Sequence, residues 1–350
     1  MKPEISAVVV SHRTSFEAID CVASLREALR AEAIAGEVIL VDCGSGEEEA
    51  RRLRDAGADR LIPLPDNRGY SGGLNAGLAR ARAPLLLLSN ADVVFSPGSL
   101  RFLLEAAARP AVGAAGPLCT WDGSGRLRLP PGFAPGFARD FLQLSAGRFP
   151  RLERRRFAAF ARECLELWRE GGSVRHLTGA VLAARRDVLD RVGRFDERFL
   201  LEYEETEWED RVLAAGFELR YEPRARVRHL YARSSLGSTD SAGRRRASRD
   251  LYVRRRYGRF GARLLDAAGR LARPVIVERM DEPRAARREG AWIAISPNPS
   301  LLPFVGAPLD EDFQLPPETL ASLPTGAFFR TFRACDGEPL STFRWEKAAA

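Results

Sequence analysis

Four short runs of the 350-residue chain are largely apolar at successive positions, without alternation between a polar and an apolar face: Ile5 to Ser11 (ISAVVVS), Glu37 to Cys43 (EVILVDC), Pro84 to Asp92 (PLLLLSNAD) and Val112 to Leu118. A strand of that kind has both faces covered, as in a parallel sheet flanked by helices. Polar segments of helical length and period separate the runs. The predicted class is therefore α/β, a layered fold with a mainly parallel sheet. Ligands of such sheets gather outside the carboxyl ends of the strands. Ser11–His12–Arg13, Asp42–Cys43–Gly44–Ser45 and Asn90–Ala91–Asp92 fall at those ends.

The pattern breaks at residues 126–172, where Pro-Pro-Gly and Pro-Gly precede a basic, aromatic helical stretch around Arg154 to Trp168. This reads as a variable insertion over the sheet edge. From Val174 the alternation resumes through HLTGAVLAA, FDERF, an acidic helix start at Glu204 to Glu209 and FELRYEPRARVRHL. Residues 241–272 read as a basic helical region. Beyond Arg273 lie 10 of the 22 prolines and two alternating runs, Ala327 to Arg333 and Leu340 to Trp345, either side of Asp336–Gly337. Asp-Gly between such runs is a hairpin signal, and a hairpin alone is marginal in water. Residues 273–350 are thus expected to form a small β accessory module that recruits Ala291 to Ile295 or docks on the main domain, residues 1–240.

Composition narrows the class. No apolar run approaches the roughly 18 residues of a membrane-spanning helix, and the first residues lack the pattern of a signal peptide. The expectation is a cytoplasmic protein. Five scattered cysteines without Cys-x-x-Cys spacing suggest neither a disulfide framework nor a zinc site. The formal charge of +7 is carried by arginine, since Lys2 and Lys347 are the only lysines. Nine arginines against one acid, Asp250, lie between Arg244 and Arg263. A basic amphipathic helix of this sort suits an anionic lipid surface, so peripheral contact at the inner face of the membrane is one expectation and a solvated helix packing on the main domain is the other.

The site decides function where the sheet does not. Seven elements follow in order: VVVSHRT, VDCGS, the run from Asn67–Arg68–Gly69 to Gly77, SNAD, Thr178–Gly179–Ala180, FDERFLLEYEE and VRHLYARSS. Over about residues 4–260 the chain resembles the family 2 glycosyltransferases of GT-A fold, the nucleotide-diphospho-sugar transferases, and in particular their rhamnosyltransferase-like branch. The resemblance implies that Asp42 binds the nucleotide base and that Ser11, Arg13, Asn67, Gly69, Gly72, Gly73, Asn75, Asn90 and Ala91 complete the nucleotide-sugar site, the glycines letting backbone approach the ligand. It implies that Asp92, at the end of a D-x-D-like motif in which Asn90 replaces the first aspartate, holds Mg²⁺ or Mn²⁺ together with His229, and that Ser234 matches the last motif's serine. Thr178, Gly179 and Ala180 would line the acceptor side.

The pair Glu204–Glu205 occupies the place of the family's catalytic acids, with Glu205 in place of aspartate. If the helix starts near Glu205, that residue shares a face with Trp208 and Val212, whereas Glu207 lies off it. His176 is expected to be structural. The resemblance implies an inverting, metal-dependent enzyme. It would move a sugar, rhamnose being one candidate, from a nucleoside diphosphate donor to a hydroxyl of a surface-polysaccharide or lipid-linked glycan. The alternative is a non-catalytic carbohydrate- or nucleotide-binding protein of the same fold. No nucleic-acid module is recognised, and no G-x-G-x-x-G opens a helix after the first strand.

Overall fold

The computed structural model of the chain describes residues 3–132, 136–137, 140–141, 149–230, 239–270, 278–280, 289–298, 300–311, 313–323 and 326–345. In chain order the first elements are β1 (Ile5–Ser11), α1 (Ser15–Ala31), β2 (Gly36–Cys43), α2 (Glu47–Leu53), β3 (Arg60–Leu64) and α3 (Gly69–Leu78). There follow β4 (Leu85–Asn90), β5 (Val93–Phe95), α4 (Ser99–Ala107), β6 (Val112–Thr120), α5 (Pro150–Glu170), β7 (Gly172–Val174) and β8 (Val181–Arg185). Next come α6 (Arg186–Val192), α7 (Glu204–Ala214), β9 (Glu218–His229) and α8 (Thr239–Arg270), which is broken by a non-helical Gly258. The last elements are β10 (Glu278–Met280), β11 (Ala291–Ser296), β12 (Val305–Pro308), α9 (Pro317–Ser322), β13 (Ala327–Arg333) and β14 (Pro339–Trp345).

Two compact units result: Met1–Cys119 with Glu170–Arg256, and Thr120–Arg169 with Tyr257–Ala350. The first holds a nine-stranded sheet in the order β3-β2-β1-β4-β8-β6-β9-β5, with β7 paired to β9. Strands β1 to β4 are parallel where they meet. Strand β8 runs antiparallel to both β4 and β6, so β6 points the same way as β1. The sheet is therefore mostly parallel in direction but mixed in its pairing, a reversal that an apolar run cannot reveal. Every residue of β1 is buried, as expected of a strand covered on both faces. Register brings Ser11 beside Asp42 and Val10 beside Asn90, so the polar strand ends share one edge.

The second unit is built on a five-stranded sheet, β10-β14-β13-β11-β12, antiparallel except where β10 meets β14. The hairpin turns at Asp336–Gly337, with Gly337 at φ 69°, and β11 joins β13 along its length, as the sequence predicts. Ile293, Ile295, Phe329, Phe343 and Trp345 form its core with Leu127, which comes from the stretch read as an insertion. That stretch is part of this unit. Its helix α5 contributes Trp168, stacked on Trp292 at 5.4 Å, and Glu153, which pairs with Arg330 at 2.6 Å. Both partners of the ion pair are buried, and Arg330 also lies over the Phe157 ring.

Removing one member of a buried ion pair leaves the other charge uncompensated and costs about 3–5 kcal/mol. Glu153→Ala is therefore expected to lower the stability of the second unit by that amount. Urea denaturation followed by tryptophan fluorescence reads this unit, because Trp208 is the only one of the five tryptophans outside it. An unshifted transition would contradict the assignment of α5 to the C-terminal sheet.

Candidate active site

At the shared strand edge, Asp42 is 2% exposed, and its Oδ1 accepts hydrogen bonds from the Ser45 hydroxyl and, at 3.3 Å, from the Ser45 N–H. Ser45 Oγ in turn accepts the N–H of Arg13 at 2.8 Å. The β1 and β2 ends are thus tied together. Ser11 Oγ lies 3.0 Å from Thr14 Oγ1, and His12 Nδ1 lies 2.8 Å from the Cys43 carbonyl. Burial is the main reason the His12 imidazole sits below its usual value.

The glycine-rich run makes close contacts within the protein. Asn67 Oδ1 accepts the Gly69 N–H at 2.9 Å and starts α3. A Cβ at Gly73 would stand 2.5 Å from Val10 Cγ1 and 2.8 Å from Cys43 Sγ, one at Gly72 would meet Arg68 Cβ at 2.5 Å, and one at Gly69 (φ 72°) would meet the Leu200 carbonyl at 2.5 Å. These glycines are small so that α3 can lie against β1, its own first turn and the 195–200 segment. Asn75 also makes contacts within the protein. Its Nδ2 donates to Phe195 O and Glu197 Oε1, and its Oδ1 accepts the Phe195 N–H. Gly69, Gly72, Gly73 and Asn75 thus have packing and clamping contacts within the chain, and their nucleotide contacts remain a proposal.

Past β4 the chain places Asp92 directly before β5, whose Val93 pairs with His229 of β9. Asp92 Oδ1 and His229 Nε2 are 3.3 Å apart, and the Leu230 N–H donates to the Asp92 carbonyl at 2.9 Å. Ala91 is buried. Asn90 donates its N–H to the Ala180 carbonyl at 2.9 Å, which joins the strand end to the Thr178–Gly179–Ala180 element. Ser234 lies outside the described residues. The Asp92 carboxylate suits Mg²⁺ or Mn²⁺, hard ions that take oxygen ligands, whereas an imidazole suits softer divalent ions better. Among the described residues no group of three His, Cys, Asp or Glu could hold an ion, so the other positions would fall to phosphate oxygens and water. Asp92 would hold such an ion, with His229 beside it.

The acidic cluster forms at the start of α7. Two successive non-glycine residues, Glu202 and Tyr203, have φ of 63° and 69°, a conformation that costs energy and clusters at functional sites. They deliver Glu204 into the interior, where its Oε2 has no hydrogen-bond partner among the described residues. Burial first, then the neighbouring Glu205, pushes the Glu204 carboxyl well above the carboxylate range. Glu205 keeps part of its surface open. Burial raises its carboxyl to about 7, opposed by the His176 charge and reinforced by Glu209 and Glu202. Trp208 and Val212 are buried on the same helix, while Glu207 pairs with Arg211 along its outside, as the spacing predicts.

Tyr70 and Glu209 carried no such expectation, and His176 was expected to be structural. Gly179 leaves room for Glu205, whose Cγ and Cδ lie 3.0 Å from where a Cβ would be. The same Gly179 offers its carbonyl to the Tyr70 hydroxyl at 3.2 Å. Burial raises the Tyr70 phenol well above its usual value, and the charges of Glu204, Glu205 and Asp92 add to the shift. His176 and Glu209 form a buried pair through Nδ1 and Oε2, and the Glu209 carboxylate also accepts the Leu177 N–H at 3.2 Å. Glu209, four residues after Glu205, was legible as sharing its face; Tyr70, hidden inside a glycine run, was not.

Residues 6–159 match the sequence profile of Glycosyl transferase family 2. An N-acetylglucosaminyl-diphospho-decaprenol L-rhamnosyltransferase of Mycobacterium tuberculosis is 33% identical over 213 residues, which cover 57% of this chain and 67% of the relative. The chain belongs to glycosyl transferase family 2. This family 2 glycosyltransferase is also 35% identical over 92 residues to the succinoglycan biosynthesis protein ExoU of Rhizobium meliloti, across 25% of this chain and 27% of that protein. Among solved structures, a mannosyltransferase of Pyrobaculum calidifontis in complex with GDP-Man and Mn²⁺ superposes with a TM-score of 0.50 at 14% identity, covering 77% of this chain and 74% of the other. GalNAc-T7 with UDP, GalNAc and Mn²⁺ gives 0.50 at 15% identity, covering 74% and 51%. At these identities the likeness establishes the GT-A fold of the transferase and nothing finer.

The close seat of α3 on β1 yields a direct test. Gly73→Val places branched carbons where Val10 and Cys43 already lie, and overpacking of this kind costs about 1–3 kcal/mol. Chemical denaturation of the full chain should show that loss; a midpoint equal to the wild type's would mean that α3 is not seated there.

Proposed function

We propose that this glycosyltransferase is an inverting enzyme that moves a sugar, with rhamnose the leading candidate, from a nucleoside diphosphate donor to a hydroxyl of a surface-polysaccharide or lipid-linked glycan. The observation that carries the reading is Glu205: a carboxyl lifted to about 7 on a residue that keeps part of its surface open, packed beside the Gly179 backbone. A base poised near the working pH is what proton abstraction from an acceptor hydroxyl needs. Glu204 is buried and its carboxyl is pushed well above the carboxylate range.

In this reading Ser11, Arg13 and Asp42 receive the nucleotide at the β1 and β2 ends, and Asp92 with His229 would hold Mg²⁺ or Mn²⁺. A divalent ion supplies charge neutralisation to a departing diphosphate. Thr178, Gly179 and Ala180 form the acceptor wall, where the missing side chain of Gly179 leaves Glu205 reachable. Glu205 accepts the acceptor's proton as the acceptor oxygen bonds to the anomeric carbon and the bond from that carbon to the diphosphate oxygen breaks. One displacement inverts the centre without a covalent enzyme intermediate. Support for a lipid-linked acceptor comes from the mycobacterial relative, whose name specifies a decaprenol diphosphate. The arginine-rich α8 suits work at an anionic membrane face, and among the described residues no helix is long and apolar enough to cross a membrane.

Glu205→Gln is expected to bind donor normally and lose transfer by roughly 10²-fold or more. Because the Glu205 carboxyl holds its proton below about 7, wild-type kcat/KM should fall as pH drops through that value. Loss in Glu204→Gln with full activity in Glu205→Gln would move the role to the other acid. Asp92→Ala is expected to fold normally yet bind a nucleoside diphosphate no more tightly with Mn²⁺ than without it. Calorimetry measures this, and an undiminished Mn²⁺ effect would take Asp92 out of the metal site.

A further inference from the structure

The proposed mechanism leaves one buried ionisable pair unused. His176 comes from the segment between β7 and β8 and is buried with Glu209, its Nδ1 against Glu209 Oε2 and its Nε2 3.4 Å from Thr206 Oγ1. Both partners therefore hold the ring to the first turns of α7. Glu205 and Glu209 stand four residues apart on that helix, hence on one face with neighbouring side chains. The Leu177 N–H, which Glu209 also accepts, leads straight into Thr178–Gly179–Ala180. One imidazole thus ties together the helix that carries the base and the wall against which the base rests.

We propose that His176 is a positioning residue for Glu205: as an imidazolium held by Glu209, it fixes the acceptor wall against α7 and supplies the positive charge that keeps the Glu205 carboxylate available for proton transfer. This rests on Glu205 acting as the base. Burial, Glu209 on its own helix and Glu202 just before it disfavour the ionised form of Glu205, and the His176 charge opposes them. Around His176 itself stand Glu209, Glu205 and Asp210, whose charges outweigh burial and lift the imidazole above its usual value. A neutral histidine could still bond Glu209 but could not do this.

His176→Gln keeps an amide to donate to Glu209 and removes the charge. An opposite charge at close range moves a carboxyl by about 1–3 units. The acid limb of kcat/KM should therefore move to higher pH by at least about one unit, with activity recovering in alkaline buffer and donor affinity unchanged. A merely structural role predicts a lower rate at every pH with the limb unmoved, and that result would overturn the inference. A second measurement does not need the variant to fold. The chain has three histidines, and ¹⁵N spectra of the wild type, assigned with His12→Gln and His229→Gln, should show His176 doubly protonated at neutral pH. A neutral His176 ring would also overturn it. Full activity in Glu205→Gln would instead remove the base on which the inference depends.

Discussion

Two adjacent carboxyls at the start of one helix, both drawn out of water, set the terms for the rest of the catalytic unit. Burial and mutual repulsion each favour the protonated acids, by causes that act in the same direction on Glu204 and Glu205. A helix N-terminus offers only a partial counterweight. The fold resolves the conflict unevenly. Glu204 is enclosed, whereas Glu205 faces the Gly179 backbone with the His176 charge near it. Trp208 anchors the helix beneath them, stacked on Phe195 at 5.2 Å and donating from Nε1 to the Gly193 carbonyl at 3.0 Å.

That arrangement is held from the sheet outward. Helix α3 lies on β1 and β2 through its glycines, and its polar side grips the segment that leads into α7. Asn75 binds both backbone groups of Phe195, Ser71 Oγ donates to the Phe199 carbonyl at 3.0 Å, and Gly69 admits the Leu200 backbone. The glycine-rich run therefore acts on the chemistry at one remove. It positions the acidic helix relative to the strand ends that carry Asp42 and Asp92.

What could be read in the sequence followed from local physics. Strands β1, β2, β4 and β6 announce themselves because burial on both faces leaves an unbroken apolar run, and Asp336–Gly337 announces a hairpin because few other pairs adopt its turn. The reversal of β8 is silent, since an apolar run carries no direction. The union of residues 120–169 with the C-terminal sheet is equally silent, because it rests on partners far apart in sequence such as Glu153 and Arg330. Within the site, the strand-end residues and Glu205 were legible from motif and helix spacing. The packing roles of Asn75 and Gly73 were not legible because a glycine looks the same whether a ligand or a valine occupies the space beside it. His176 was passed over because its partner, Glu209, is 33 residues away.

The central claim is that the sugar lies between a diphosphate held at Asp92 and His229 and a base at Glu205. A crystal structure of the full chain with a nucleoside diphosphate sugar and Mn²⁺ tests it most directly. The base and ribose are expected at the Ser11, Arg13 and Asp42 strand ends, the diphosphate and ion on Asp92 and His229, and the anomeric carbon turned toward Glu205 across the Gly179 backbone. A donor bound with its anomeric carbon turned away from Glu205, or an ion held without Asp92, would contradict it.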